Sequence, residues 1–272
     1  VLVFQFRIVG KIICLRIIQK QLFNTSYQLL SIKLKNPQWL EKAETFLFIP
    51  EYLTFLLSGK KASEYTIAST SQLINAEQKN WDYELLDMMG IKKEIFCPIH
   101  RPGTVVGDLK GEIADALGYS AKVILTAAHD TASAIAALPT QDDDTLYISS
   151  GTWSLMGIES KEPIITPKTY ELNYTNEGGV EGTTRFLKNI CGMWLLEQCR
   201  KEWALSGKDY SYPEIVDMAM KAESFKAFVQ PDDPSFANPP SMLEAIDAFC
   251  ERTGQEKPAN DAQVIRLIFE SL

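Results

Sequence analysis

The chain has 272 residues, 46% hydrophobic and 23% charged, so it carries enough apolar material for a packed core and is not a disordered or low-complexity sequence. A net charge of −8 lacks the Lys/Arg excess that a nucleic-acid surface needs, which argues against nucleic acid as a partner. Five scattered cysteines with no CxxC pair, and only two histidines, argue against a disulfide framework or a zinc site and point to a reducing, cytoplasmic setting.

Residues 1–40 carry Arg7, Lys11, Arg16, Lys20, Lys33 and Lys35 and no acid. The opening stretch VLVFQFRIVGKIICLRIIQK is apolar but interrupted by cations, well short of the ~20 apolar residues of a membrane span. It also lacks a small-residue cleavage site after an apolar run, so neither a signal peptide nor a membrane partner is expected. From Asn24 to about Gly90 the text predicts helices: one capped by Asn24 with Tyr27, Leu30 and Leu34 on a face, one opening at Pro50 and stopping at Gly59, and one stopping at Gly90. Between the last two, EYTIASTSQLIN predicts a loop with a short strand. The Pro/Gly-punctuated CPIHRPGTVVGDL predicts a surface crossing, and GEIADALG a short helix. KVILTAA has the β-branched, apolar character of a buried strand, and HDTASAIAALP continues as a helix, the unit of an α/β sheet.

The acidic run at 142–144 predicts a solvated connector and a domain boundary. TLYISSGTWSLMGIES predicts a β-hairpin, and TYELNYTNEGGVEGTTRFLKN a second one turning at Gly178 and Gly179. From Ile190 the 3/4 spacing of Ile190, Met193, Trp194 and Glu197 predicts a helix, followed by helices near 212–222, 241–252 and 261–272. The chain stops at Leu272 inside a helical pattern, and a piece of a longer protein, open at both ends, is expected.

Three places could carry chemistry. Asp130 follows an apolar strand and opens a helix, so it is either an N-cap taking the N–H of Ala132 or Ser133, or a carboxylate at a strand end that accepts a proton from a substrate hydroxyl. His129 and Thr131 flank it, and a histidine-rich metal phosphohydrolase is excluded by histidine count. The SSGTWS turn at 149–154 is either an ordinary hairpin turn or a phosphate-holding one, with Gly151 letting the backbone approach closely. No P-loop or dinucleotide fingerprint is present. Asn189 is either the cap of the following helix or a partner for a sugar hydroxyl.

Together HDTASAIAAL, LYISSGTWSLMGIE and NEGGVEGTTRFLKNICGMWLLEQCRKEW resemble the FGGY carbohydrate kinases, and within them the subfamily acting on L-rhamnulose. FNTSYQLL, PEYLTFLLSG, RPGTVVGDL and DAFCERTGQEKPANDAQVIRLIFESL follow the same subfamily in order, from about Gln19 to Leu272.

The resemblance implies an α/β, actin-like (ribonuclease H-like) fold of two lobes around a cleft, both truncated here. It assigns 19–143 to the rear of the N-terminal lobe and 144–272 to the first part of the C-terminal lobe, and leaves 1–18 unassigned. It implies phosphoryl transfer from MgATP to the sugar's 1-hydroxyl, with Asp130 as general base, His129, Thr131 and Asn189 on the sugar, and Thr152 and Glu197 on the nucleotide. The family usually has Gln where this chain has Glu197, and Gln198 comes next. A second cysteine that some members pair with the one matching Cys250 is Leu267 here. The family's first phosphate loop and its adenosine loop are absent from this chain, which by itself is expected to be inactive. A kinase for xylulose, fuculose or gluconate, and a non-catalytic nucleotide-binding module of the actin type, are the alternatives.

Overall fold

The computed structural model describes residues 24–140, 142 and 145–272. The opening stretch at 1–18 and residues 143 and 144 of the acidic connector lie outside the described residues. Backbone contacts divide the chain into two compact units, residues 1–147 with 157–188, and residues 148–156 with 189–272.

The first unit opens with helices α1 (Thr25–Lys35), α2 (Pro37–Lys42) and α3 (Ile49–Ser58). Helix α1 buries Ser26 and Leu29 and leaves Leu34 45% exposed, so its inner face is rotated from the predicted one. Helix α3 begins with Pro50 in its first turn and ends at Gly59, whose φ of 72° is the left-handed stop expected there. Strand β1 (Ser63–Glu64) then leads into α4 (Tyr65–Ser69), a helix where the sequence suggested a loop. The cause is Glu64, whose buried carboxylate accepts the N–H groups of Thr66 and Ile67 and the Thr66 hydroxyl. A cap of this kind nucleates a turn that has no apolar period of its own.

The antiparallel pair β2 (Ile74–Asn75) and β3 (Asn80–Trp81) follows, then α5 (Tyr83–Met89), capped by Asp82 and stopped by Gly90 as predicted. Strand β4 (Ile99–His100) pairs in parallel with β1. Strand β5 (Val105–Asp108), helix α6 (Gly111–Leu117), strand β6 (Lys122–Ile124) and helix α7 (Asp130–Ala136) complete the run to residue 140. Strand β6 pairs antiparallel with β5 and buries Val123 while Ile124 is 49% exposed, which corrects the expectation of a fully buried strand. The core of this region gathers Leu29, Tyr65, Leu73, Trp81, Leu86 and Phe96, and Trp81 donates its ring N–H to the carbonyl of Cys97 at 2.7 Å. Side chains of this size each contribute ~1.5–3 kcal/mol when fully withdrawn from water.

The largest sheet has the order β7–β8–β10–β9, from β7 (Leu146–Ser150), β8 (Ser154–Ser160), β9 (Thr175–Gly178) and β10 (Thr184–Ile190), with α8 (Pro167–Glu171) between β8 and β9. Both predicted hairpins are present. The second turns over residues 179–183 with Gly182 at φ 74°, a little later than the glycine pair suggested. Gly157 is required by crowding, since a Cβ there would lie 2.8 Å from the Leu187 Cα.

In the second unit the chain continues into α9 (Trp194–Leu205), α10 (Tyr212–Lys221), α11 (Met242–Arg252) and α12 (Asp261–Ser271). Helix α9 starts four residues after the predicted Ile190, because Ile190 is still on β10. Leu195, Trp203, Ile215, Ile246, Ile265 and Ile268 form its core.

Candidate functional site

The segment between β6 and α7 is tied down just ahead of Asp130. The N–H of Ala128 donates to Glu64 Oε2 at 3.1 Å, and the N–H of His129 donates to Thr66 Oγ1 at 3.2 Å. The Ser133 hydroxyl donates to the carbonyl of Ala127 at 2.7 Å. Glu64 is itself held by Glu51, whose Oε1 accepts the Glu64 N–H at 2.8 Å. Burial pushes the Glu51 carboxyl up to about 7, against the two backbone N–H groups that favour its charged form.

On this anchored segment the Asp130 carboxylate is open, 98% exposed. It is not the helix cap. His129 occupies that position, and its carbonyl accepts the Ser133 N–H at 3.2 Å. Asp130 is one residue further in, and its Oδ1 takes the N–H of Thr131 at 2.7 Å instead of those of Ala132 or Ser133. Thr131 is buried, with its hydroxyl 3.5 Å from the same oxygen.

His129 is anchored from behind. Its Nδ1 lies 2.7 Å from Arg185 Nη2 and 3.4 Å from Glu177 Oε2, and its Nε2 lies 3.7 Å from Asp130 Oδ1. Arg185 has no exposed side-chain surface; it pairs with Glu177 at 3.0 Å and donates its Nε–H to the carbonyl of Gly178 at 3.0 Å. Burial lowers the His129 pKa, Glu177 opposes that, and Arg185 reinforces it. The hairpin explains how Glu177 and Arg185 meet: they stand directly opposite each other in the β9–β10 register. In the sequence both residues stand within the glycine-rich string of the second predicted hairpin. Two opposite charges flanking a tight turn were the signal that could have paired them.

In the second unit, the SSGTWS turn is packed on the start of α9. Met193 donates to the carbonyl of Gly151 and Trp194 to that of Thr152, each at 3.1 Å. Gly192 makes this possible, because a Cβ there would lie 2.9 Å from the Ser154 nitrogen and 3.0 Å from the Gly151 oxygen. Thr152 is exposed at the tip. Asn189 stands on β10 and does not cap α9, whose cap position is Met193. Glu197 is engaged by Arg200 at 3.2 Å and by the Tyr212 hydroxyl at 3.0 Å, and the Arg200 guanidinium lies 4.4 Å from the Tyr212 ring centre. The Nε2 of its neighbour Gln198 is buried with no hydrogen-bond partner. Among the described residues, no three His, Cys, Asp or Glu side chains are gathered as a metal site, and no helix is long and apolar enough to cross a membrane.

Two sequence profiles match the chain almost end to end: the N-terminal domain of the FGGY family of carbohydrate kinases over residues 12–137, and the C-terminal domain of the same family over 146–272. The chain belongs to the FGGY family of carbohydrate kinases. It is 48% identical over 256 residues to a rhamnulokinase of Bacteroides thetaiotaomicron, covering 94% of this chain and 52% of that protein. It is 45% identical to a rhamnulokinase of Oceanobacillus iheyensis, covering 94% and 53%. The chain thus spans about half the length of these curated FGGY relatives. Among solved structures, a ligand-bound xylulose kinase from Lactobacillus acidophilus superposes with a TM-score of 0.72 at 21% identity, covering 98% of this chain and 55% of that one. A gluconate kinase from the same organism gives 0.68 at 21% identity, covering 98% and 52%. These likenesses show that the mixed α/β chain has the fold of FGGY sugar kinases.

Proposed function

We propose that the longest reading frame carrying this chain is an ATP-dependent sugar kinase that phosphorylates L-rhamnulose at its 1-hydroxyl. The observation that carries the chemistry is Asp130: an open carboxylate on a segment fixed by Glu64 and Thr66, beside an anchored His129. The choice of sugar rests on the 48% and 45% identity to the two rhamnulokinases.

Phosphoryl transfer has a loose transition state, so the protein mainly aligns the groups and neutralises charge. Asp130 orients the hydroxyl and takes its proton as the new O–P bond forms and ADP leaves. His129, Thr131 and Asn189 hold the sugar. Thr152 and its turn contact the nucleotide phosphates, and Glu197 contacts the nucleotide. The engagement of Glu197 by Arg200 and Tyr212 supports neighbouring Gln198 as a second candidate for that contact. Bound as MgATP, the nucleotide would bring a Mg2+ ion that would offset the charge of its phosphates. Residues 19–143 belong to the rear part of the N-terminal lobe and 144–272 to the first part of the C-terminal lobe. Small molecules in a cytoplasmic setting are the partners, with neither nucleic acid nor membrane.

The test is a coupled ADP-release assay on that reading frame with L-rhamnulose, D-xylulose, gluconate and glycerol. A clear preference for L-rhamnulose is expected. Equal rates on all four would remove the sugar assignment, and ATP binding without any sugar phosphate would favour a non-catalytic nucleotide module.

A further inference from the structure

We infer that Glu177 and Arg185 are a positioning pair that locks His129 as the Nε2–H tautomer, so that its ring donates a hydrogen bond beside the Asp130 carboxylate and cannot act as a second base. The inference rests on the proposal that Asp130 is the base. Its foundation is the geometry of Nδ1.

Arg185 Nη2 is 2.7 Å from His129 Nδ1. A guanidinium has donors and no acceptor, so Nδ1 must accept. A neutral imidazole that accepts at Nδ1 carries its proton on Nε2. That proton is then on the side of Asp130, whose Oδ1 lies 3.7 Å from Nε2. Glu177 is 3.4 Å from the same Nδ1 and on its own would favour the opposite arrangement, with the ring donating to it. Its carboxylate is drawn to Arg185 instead, at 3.0 Å. The pair is opposed on adjacent strands and buried, so neither side chain can turn to water. The charged groups facing the ring are Glu177 and Arg185 from the hairpin, Asp130 from α7 and Glu64 from β1, with the Thr66 hydroxyl holding the His129 backbone.

The two tautomers would do different chemistry. With the proton on Nε2, the ring presents a donor to a carbonyl or hydroxyl oxygen of the sugar next to the hydroxyl that Asp130 deprotonates. With the proton on Nδ1, Nε2 becomes a lone pair beside a carboxylate, which repels an acceptor oxygen and competes for the proton. Arg185 and Glu177 touch neither substrate nor reacting atoms in this scheme.

The experiment is imidazole 15N NMR on the longest reading frame carrying this chain, with His129→Gln used to assign the His129 signals. Wild-type protein should show Nδ1 as the unprotonated nitrogen from about pH 6 to 8, the range in which an ordinary imidazole titrates. The double variant E177Q/R185M removes both charges together, so no lone buried ion is left. It should show mixed tautomers. It should also lose sugar turnover by about tenfold, the worth of one misplaced hydrogen-bond donor, with KM for ATP unchanged. A protonated Nδ1 in wild type overturns the inference even if the double variant fails to fold. An unaltered tautomer and pH–rate profile in a folded double variant does so as well. Absence of turnover on L-rhamnulose leaves the tautomer measurement standing, so failure of the sugar assignment is seen separately.

Discussion

Gly192→Ala should loosen the turn that presents Thr152. The added Cβ would sit 2.9 Å from the Ser154 nitrogen and 3.0 Å from the Gly151 oxygen, both backbone atoms that cannot swing aside. The turn must therefore shift off the start of α9. That stretches two bonds, Met193 N–H to the Gly151 carbonyl and Trp194 N–H to the Thr152 carbonyl, both at 3.1 Å. Two backbone hydrogen bonds at ~0.5–1.5 kcal/mol each, with some overpacking strain, give a cost of about 2–3 kcal/mol. Gly111→Ala is the control, since a Cβ there meets nothing within 4 Å at the first turn of α6. It should be neutral or slightly stabilising. Urea unfolding followed by tryptophan fluorescence reads the first effect. The KM for ATP reads the second, and it should rise for Gly192→Ala while the KM for the sugar stays put. Equal urea midpoints for the two variants would refute the packing argument. A lowered midpoint with unaltered KM for ATP would remove the turn from the nucleotide site.

Asp130→Asn should cut sugar turnover by roughly 100-fold or more while leaving thermal unfolding and ATP binding unchanged, because the side chain is exposed and the Asn amide oxygen can still accept the Thr131 N–H; near-normal turnover would mean it is not the base. Glu51 carries a raised pKa of about 7 against 4.5, so the folded state binds its proton more tightly and its contribution to stability is complete below about 4.5 and lost as pH rises through 7. The drop amounts to about 3 kcal/mol. His129, whose pKa is lowered from 6.5, acts with the opposite sign, so the diagnostic is the difference between wild type and Glu51→Gln in urea midpoints across pH 4–8; parallel profiles would contradict it. Ile265→Ala, at a position with no exposed surface in the second unit, should cost about 2–5 kcal/mol by the same urea assay.

Helix ends were the most legible part of the sequence. Gly59, Gly90 and Gly118 stop helices at positive φ, and the signal is local because only a residue without Cβ adopts that conformation readily. The hairpins were equally plain, since alternation and a glycine-rich turn specify them together. Helix α4 was not legible, because its cap is a buried glutamate whose carboxylate also serves a segment 64 residues away. The face of α1 was misjudged for a related reason: Leu29 and Leu34 are equally apolar, and tertiary packing chose between them. At the candidate site, Asp130 and His129 stood out by position after a strand. Their support did not, because Glu64 and Arg185, the latter on the hairpin it shares with Glu177, lie 64 and 56 residues from Ala128 and His129, which they hold, and no local pattern links them.

The span of those links has a consequence for how the protein reaches its native state. Glu64 to Ala128, Arg185 to His129 and Ser69 to Gly178 close separations of 64, 56 and 109 residues. Each closure costs chain entropy before its contact gives anything back, and non-local pairings of this kind slow folding. Helices such as α5, with its own cap and stop, can form early from neighbouring residues. The segment bearing His129 and Asp130 becomes ordered only when two distant pieces of chain, around 64–69 and 177–185, have arrived, so the candidate site should be the last part to form during refolding and the first lost when the protein begins to open.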